Sequence, residues 1–176
     1  MADADPALLT TDRLVIRRLR PSDAASVAGY KNDPDIARHQ EWSLPYPVDR
    51  VMADIVTDAA RPWPCPGEGM NIAIEHDGDL IGDLYVAWDA DGDTATIGYT
   101  LAAAHHGNGY ATEAVAALVD HLFADGITTV RASVDPANDA SIGVLRRVGF
   151  RLESTGRIEV RGEWVDDATY ALTPPE

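Results

Sequence analysis

The sequence has almost no cysteine: Cys65 is the single one in 176 residues. An intrachain disulfide is therefore excluded, and a reducing, cytoplasmic setting is the simplest expectation. Long apolar runs are missing as well. None approaches the roughly 20 residues that cross a bilayer, so no membrane partner is expected. The start, MADADPALLTTDR, has neither a basic n-region nor a long apolar h-region, and no signal peptide is expected from it. Positive charge is scarce. With 14 basic residues against 29 acidic ones the formal charge is −15, which repels a nucleic-acid backbone at long range and leaves a cationic substrate compatible. Internal repeats and domain linkers are also lacking, and the length suits one domain over residues 1–176 with a real core.

What is present alternates between strand and helix signals. TDRLVIRRLR sets Leu14 and Ile16 between arginines and reads as a strand; Pro21, Ser22 and Asp23 then mark a helix start before AASVAGY. Val48, Val51, Ile55 and Val56 recur at helical spacing, and RPWPCPGEG after them is too rich in Pro and Gly to be regular. MNIAIEH, LIGDLYVAWD and TATIGYTL follow, separated by Asp77-Gly78 and Asp91-Gly92, the pairs that favour tight hairpins; an antiparallel meander is expected. A helix from Tyr110 to Phe123 leads to the strand TTVRASV, which makes a parallel crossover. DASIGVLRRV reads as a further helix, and RLESTGRIEV with EWVDDATYAL closes as a hairpin about Arg161-Gly162, with an edge strand compatible with a homodimer.

HHGNGYATEA, residues 105 to 114, sits between the strand TATIGYTL and the longest helix. A helix N-terminus offers unpaired N–H groups and a partial positive charge, and glycines let a ligand come close to that backbone. The expected guest is a phosphate or pyrophosphate. No Gly-Lys-Ser/Thr is present for a nucleotide-triphosphate loop, and the third glycine of a dinucleotide fingerprint is missing.

Gly107, Gly109 and Ala111 resemble the Q/R-x-x-G-x-G/A pyrophosphate loop of the GCN5-related N-acetyltransferases, and Asn138-Asp-Ala-Ser141 with Leu145 to Phe150 resembles their Asn-x-x-Ser/Ala…Gly-Phe motif. TTDRLVIRRLRPSDA, IGYTL, GNGYATEA and GEWVDDATYAL are similar, in that order, to the RimJ/RimL-type branch. The resemblance implies a single α/β (α+β) domain with a mixed, mostly antiparallel, splayed sheet and flanking helices. It also implies transfer of an acetyl group from acetyl-CoA to a primary amine, either a protein N-terminus or a small cationic amine such as an aminoglycoside or polyamine. A CoA-binding regulatory module with little turnover is the alternative. No metal is called for.

By the same resemblance, Tyr99 and Leu101 contact the pantetheine arm, and the amides from Gly107 to Thr112 (Asn108, Gly109, Tyr110 and Ala111 between them) cradle the pyrophosphate. Asn138 orients the arm, Ser141 protonates the departing thiolate, and a backbone N–H near Leu101 stabilises the oxyanion. Leu145 falls where other branches carry a catalytic tyrosine. His106 stands where Gln, Arg or Trp is usual and Asn108 where many relatives have Lys, which leaves Arg146 and Arg147 as the nearest cations for the CoA phosphates. Thr96 replaces the Glu that serves as base in many relatives, so Glu41 and Asp83 become the candidates. Trp42, Tyr46, Trp63 and Tyr85 are expected to wall the acceptor side, where aromatic faces beside carboxylates suit a cationic amine.

Overall fold

The computed structural model describes residues 7–63 and 66–175; Cys65 lies outside them. The chain opens with two short strands, β1 (Leu9–Thr10) and β2 (Val15–Arg18), and continues into helices α1 (Ala24–Lys31), α2 (Pro34–Ala37) and α3 (Val48–Ala59). The expected meander follows as β3 (Gly69–His76), β4 (Asp79–Trp88) and β5 (Thr94–Leu101). Asp77 and Gly78 both take positive φ, 51° and 88°, so this turn twists in the sense that keeps β3 and β4 paired. Helix α4 (Tyr110–Ala124), strand β6 (Thr129–Val134), helix α5 (Asp139–Val148) and the hairpin of β7 (Arg151–Val160) and β8 (Glu163–Leu172) complete the chain.

These strands form one sheet of order β1-β2-β3-β4-β5-β6-β8-β7. All neighbouring pairs are antiparallel except β5 and β6, which run parallel and are joined through α4. The last hairpin inserts β8 beside β6 and leaves β7 as an exposed edge. Period-two alternation gives the sheet two buried faces. Met70, Ile72 and Ile74 pack with Leu118, Leu122 and Leu145 beneath α4 and α5, whereas Ala73 faces Val27, Val51 and Ile55 of α1 and α3. No helix among the described residues is long and apolar enough to cross a membrane.

Two details differ from the sequence reading. The stretch after α1 is not wholly a loop, because Asp33 accepts a hydrogen bond from the Asp35 N–H at 2.9 Å and starts the single turn of α2. Four residues are too few to show a helical period. Arg17, in the alternating first strand, is buried at 3% exposure. Its guanidinium is held by Asp23 at 2.7 Å and Glu75 at 2.6 Å, which replaces the water it gives up.

The feature that positions the site is a short register. β5 and β6 pair only at Thr94↔Thr129, Ala95↔Val130 and Thr96↔Arg131, after which the two strands part. On the other side, β4 accompanies β5 all the way to Leu101. The gap therefore opens beside Ile97 to Leu101. Gly82 on β4 allows this close company, since a Cβ there would lie 2.2 Å from the Thr100 carbonyl.

Candidate active site

A groove of about 1110 Å³ runs from the gap to the N-terminus of α4, and a second cavity of about 740 Å³ opens on the far side of β5. Tyr99 and Thr100 line both. The Ala102 N–H bonds the Ile81 carbonyl at 2.9 Å, and with the antiparallel register this turns the backbone of Tyr99 and Leu101 away from β4, toward the gap. His106 comes back to the same place, where its Nε2–H donates to the Leu101 carbonyl at 2.9 Å. This histidine thus ties the loop to the strand end.

Gly107 and Gly109 have φ of 78° and 80°, a conformation that a β-carbon penalises, and Gly109 is the residue that caps α4. No side chain caps this helix end, so the amides of its first turn face the groove without an internal partner. Ala111 and Thr112 line the groove with the two glycines. The Asn108 side chain instead bends to the His105 and His106 carbonyls at 3.3 and 3.1 Å, and it braces the loop from outside.

The nearest cation is one that the sequence reading missed. Arg13 lines the groove, donates from Nη1 to the Asn108 carbonyl at 3.0 Å and from Nε to Glu113 at 2.7 Å, and lies 4.7 Å from the Tyr110 ring centre. Thr11 adds a hydrogen bond to Glu113 at 2.5 Å. Burial alone would raise the Glu113 carboxyl, but these bonds outweigh it and hold the carboxyl below its ordinary range. Arg13 lies 95 residues from Asn108 in sequence, and only the β1–β2 corner brings it there. Arg147 lines the groove; Arg146, exposed one position earlier on α5, does not.

At the inner end, Ser141 and Tyr99 form a closed pair. Ser141 Oγ donates to the Tyr99 hydroxyl at 2.7 Å, which in turn donates to the Ser141 carbonyl at 2.8 Å. Burial pushes the Tyr99 phenol up to about 12, against the opposing pull of the serine. Asn138 caps α5: its Oδ1 accepts from the Ser141 N–H at 3.0 Å. Its amide nitrogen has no hydrogen bond among the described residues, and Asn138 lines the groove. Leu145 is fully buried and does not line it.

The second cavity brings together most of the expected acceptor side. Glu41, Trp42, Tyr46, Asp83, Tyr85 and Thr96 all line it. Trp63 does not; it stacks edge-on against Trp88 at 4.8 Å and donates to His121 at 3.1 Å. Its Pro-rich context gave no sign of which face it would meet. Asp83 is not an exposed carboxylate. It is 3% exposed and paired with Lys31, itself 6% exposed, at 3.1 Å. The Lys31 ammonium also lies 4.8 Å from the Trp42 ring centre and 5.1 Å from that of Tyr46. The Asp83 carboxylate is thus taken up by an ion pair, and Glu41 is solvent-exposed. Among the described residues no group of three or more His, Cys, Asp or Glu could hold a metal ion.

A groove ending on bare helix amides, beside a sheet that splays, has close relatives. The family described as the acetyltransferase (GNAT) domain matches residues 13–151. The chain belongs to this acetyltransferase family. It is 27% identical over 174 residues to the uncharacterized N-acetyltransferase p20 of Bacillus licheniformis, covering 96% of this chain and 97% of that protein. RimJ of Mycobacterium smegmatis, solved in complex with CoA-disulfide, superposes with a TM-score of 0.80 at 28% identity, over 91% of this chain and 81% of that one. RimL, the ribosomal L7/L12 alpha-N-protein acetyltransferase solved with coenzyme A, shares the fold with a TM-score of 0.79 at 21% identity, over 96% of this acetyltransferase and 98% of RimL. The protein is thus an acetyl-CoA-dependent N-acetyltransferase of RimJ/RimL-like type, and acetyl-CoA is its cosubstrate.

Proposed function

We propose that this acetyltransferase binds acetyl-CoA in the larger groove and passes the acetyl group to a primary amine entering from the second cavity. The acceptor is a protein N-terminus or a small cationic amine. The observation that carries this reading is the end of the β5–β6 register at Thr96↔Arg131, which makes the two cavities meet at Tyr99 and Thr100. The pyrophosphate would lie on the amides from Gly107 to Thr112, with Arg13 and Arg147 supplying charge that the loop itself lacks. The arm would run along β5, where the Tyr99 backbone and the Leu101 N–H face the gap. The Asn138 amide would hold it.

In the reaction, the neutral amine attacks the thioester carbon, the C–N bond forms and the C–S bond breaks. Ser141 is the group we assign to protonate the leaving sulfur, its O–H turning to the sulfur from the Tyr99 oxygen to which it donates. The acidic and aromatic residues around Trp42 and Tyr85 suit an ammonium group approaching from solvent. The same reading puts the protein in the cytoplasm and makes β7 the edge at which a second copy would pair. Release of CoA thiol should be measured with acetyl-CoA and a panel of spermidine, an aminoglycoside and a serine-initiated peptide. Turnover with one class and not the others names the acceptor; no thiol release with any of them counts against the reading.

A further inference from the structure

Five residues line both the groove and the second cavity: Arg38, His39, Gln40, Tyr99 and Thr100. An acetyl donor in one and an amine in the other can meet only beside these. Of the five, His39 is the one whose side chain type exchanges protons near neutral pH. It follows directly on α2, the turn that the sequence pattern did not reveal.

The imidazole is held as a proton acceptor would be. His39 Nδ1 lies 2.7 Å from Asp135 Oδ2, and Arg38 Nε donates to His39 Nε2 at 3.0 Å. An arginine cannot accept, so Nε2 carries the lone pair and Nδ1 carries the proton that goes to Asp135. Both contacts assign the same tautomer. Asp135 is itself fixed, since its other oxygen accepts the Ala137 N–H at 2.8 Å. Burial pushes the Asp135 carboxyl up, but the bonds from His39 and Ala137 prevail and keep it below its ordinary value, hence ionised. The two partners come from opposite ends of the site, 96 residues apart, one after α2 and one after β6.

We infer that His39 is the general base of this acetyltransferase, with Asp135 as the positioning residue that fixes its tautomer. The inference rests on the acetyl-transfer reading above. The incoming ammonium gives one proton to His39 Nε2, displacing the Arg38 contact, and its nitrogen attacks the thioester carbon. The second nitrogen proton leaves as the amide forms, and Ser141 relays a proton to the CoA sulfur, so that free thiol, amide and one proton to solvent are the products. Thr96, which cannot accept a proton, then needs no carboxylate substitute at its own position. Besides Arg38 and Asp135, the charged groups that share a cavity with His39 are Arg13, Asp33, Asp35, Glu113 and Arg147 in the groove and Glu41, Arg157, Arg161, Asp166 and Asp167 in the second cavity, where Lys31 and Asp83 pair with each other.

The test uses the full chain, acetyl-CoA and the amine from the panel that turns over. His39→Gln should lower kcat by a factor on the order of 10² to 10⁴ while the acetyl-CoA-induced rise in Tm is unchanged. The wild-type acid limb of kcat/KM should have its inflection at the titration of His39 followed by NMR of the imidazole nitrogens, and His39→Gln should remove that inflection. Asp135→Asn should lower kcat and shift the NMR spectrum toward the other tautomer. If the wild type turns over and His39→Gln is equally fast with the same pH profile, the inference is wrong and the acetyl-transfer reading stands. If the wild type releases no thiol with any amine, both fall together.

Discussion

Asn138 combines an observed helix cap with a proposed cofactor contact, and substitution can pull the two apart. Its side-chain oxygen caps α5 through the Ser141 N–H, and its amide nitrogen faces the groove. Asn138→Ala removes both. Loss of an N-cap costs about 1 kcal/mol, within a range of roughly 0.5–2, and in a chain of this size each kcal/mol lowers Tm by about 2–4 °C. Asn138→Asp keeps an acceptor and adds a negative charge at a helix N-terminus, so its Tm should equal or exceed the wild type's. The aspartate has no N–H to give to the arm of acetyl-CoA. In the wild type, acetyl-CoA at about 100 times its Kd contributes about 2.7 kcal/mol by linkage, or roughly 5–11 °C on the same scale. Both variants should show a smaller shift. Thermal melts with and without ligand measure the two effects in one experiment. An unaltered melting point in Asn138→Ala would refute the cap, and a full ligand shift in Asn138→Asp would refute the cofactor role.

Ser141→Ala should leave the acetyl-CoA shift nearly intact while kcat for thiol release falls by a factor on the order of 10² to 10⁴; full turnover would mean that another group protonates the sulfur. Gly109→Val should lose the ligand shift and cost about 1–2 kcal/mol through its left-handed backbone, both readable by the same melts, and an unchanged affinity would misplace the pyrophosphate. Glu113 has its folded-state value depressed, so it contributes stability above its unfolded value that is lost as pH falls through the folded one. Urea midpoints taken from neutral pH down through the carboxylate range should therefore decline less steeply in Glu113→Gln than in the wild type.

The strand and helix order was legible because it rests on local signals. Asp77-Gly78 and Arg161-Gly162 turn the chain where positive φ is required, and the periodic apolar residues of α4 and α5 pack as their spacing implies. The loop glycines, Tyr99, Asn138 and Ser141, which the sequence singles out, line one groove because their spacing is carried by one strand and two helices that keep it. What failed to show was whatever depends on meetings across the chain. Arg13 reaches the loop over 95 residues, and the buried Lys31–Asp83 pair joins α1 to β4. His39 meets Asp135 over 96 residues. A lone histidine and a lone aspartate carry no pattern of their own. Arg146 and Arg147 are adjacent in sequence, and only the turn of α5 decides which one faces the groove.

The central claim is that acetyl-CoA lies along the parted strand with its pyrophosphate on the α4 amides. Amide NMR of the labelled 18.9 kDa protein during a CoA titration tests it most directly. The account predicts the largest shifts at Gly107 to Thr112, at Tyr99 and Leu101, and at the Asn138 side chain, all saturating with one Kd. Shifts confined to the β7–β8 hairpin or to the acidic surface, with the loop amides unmoved at saturating CoA, would contradict it.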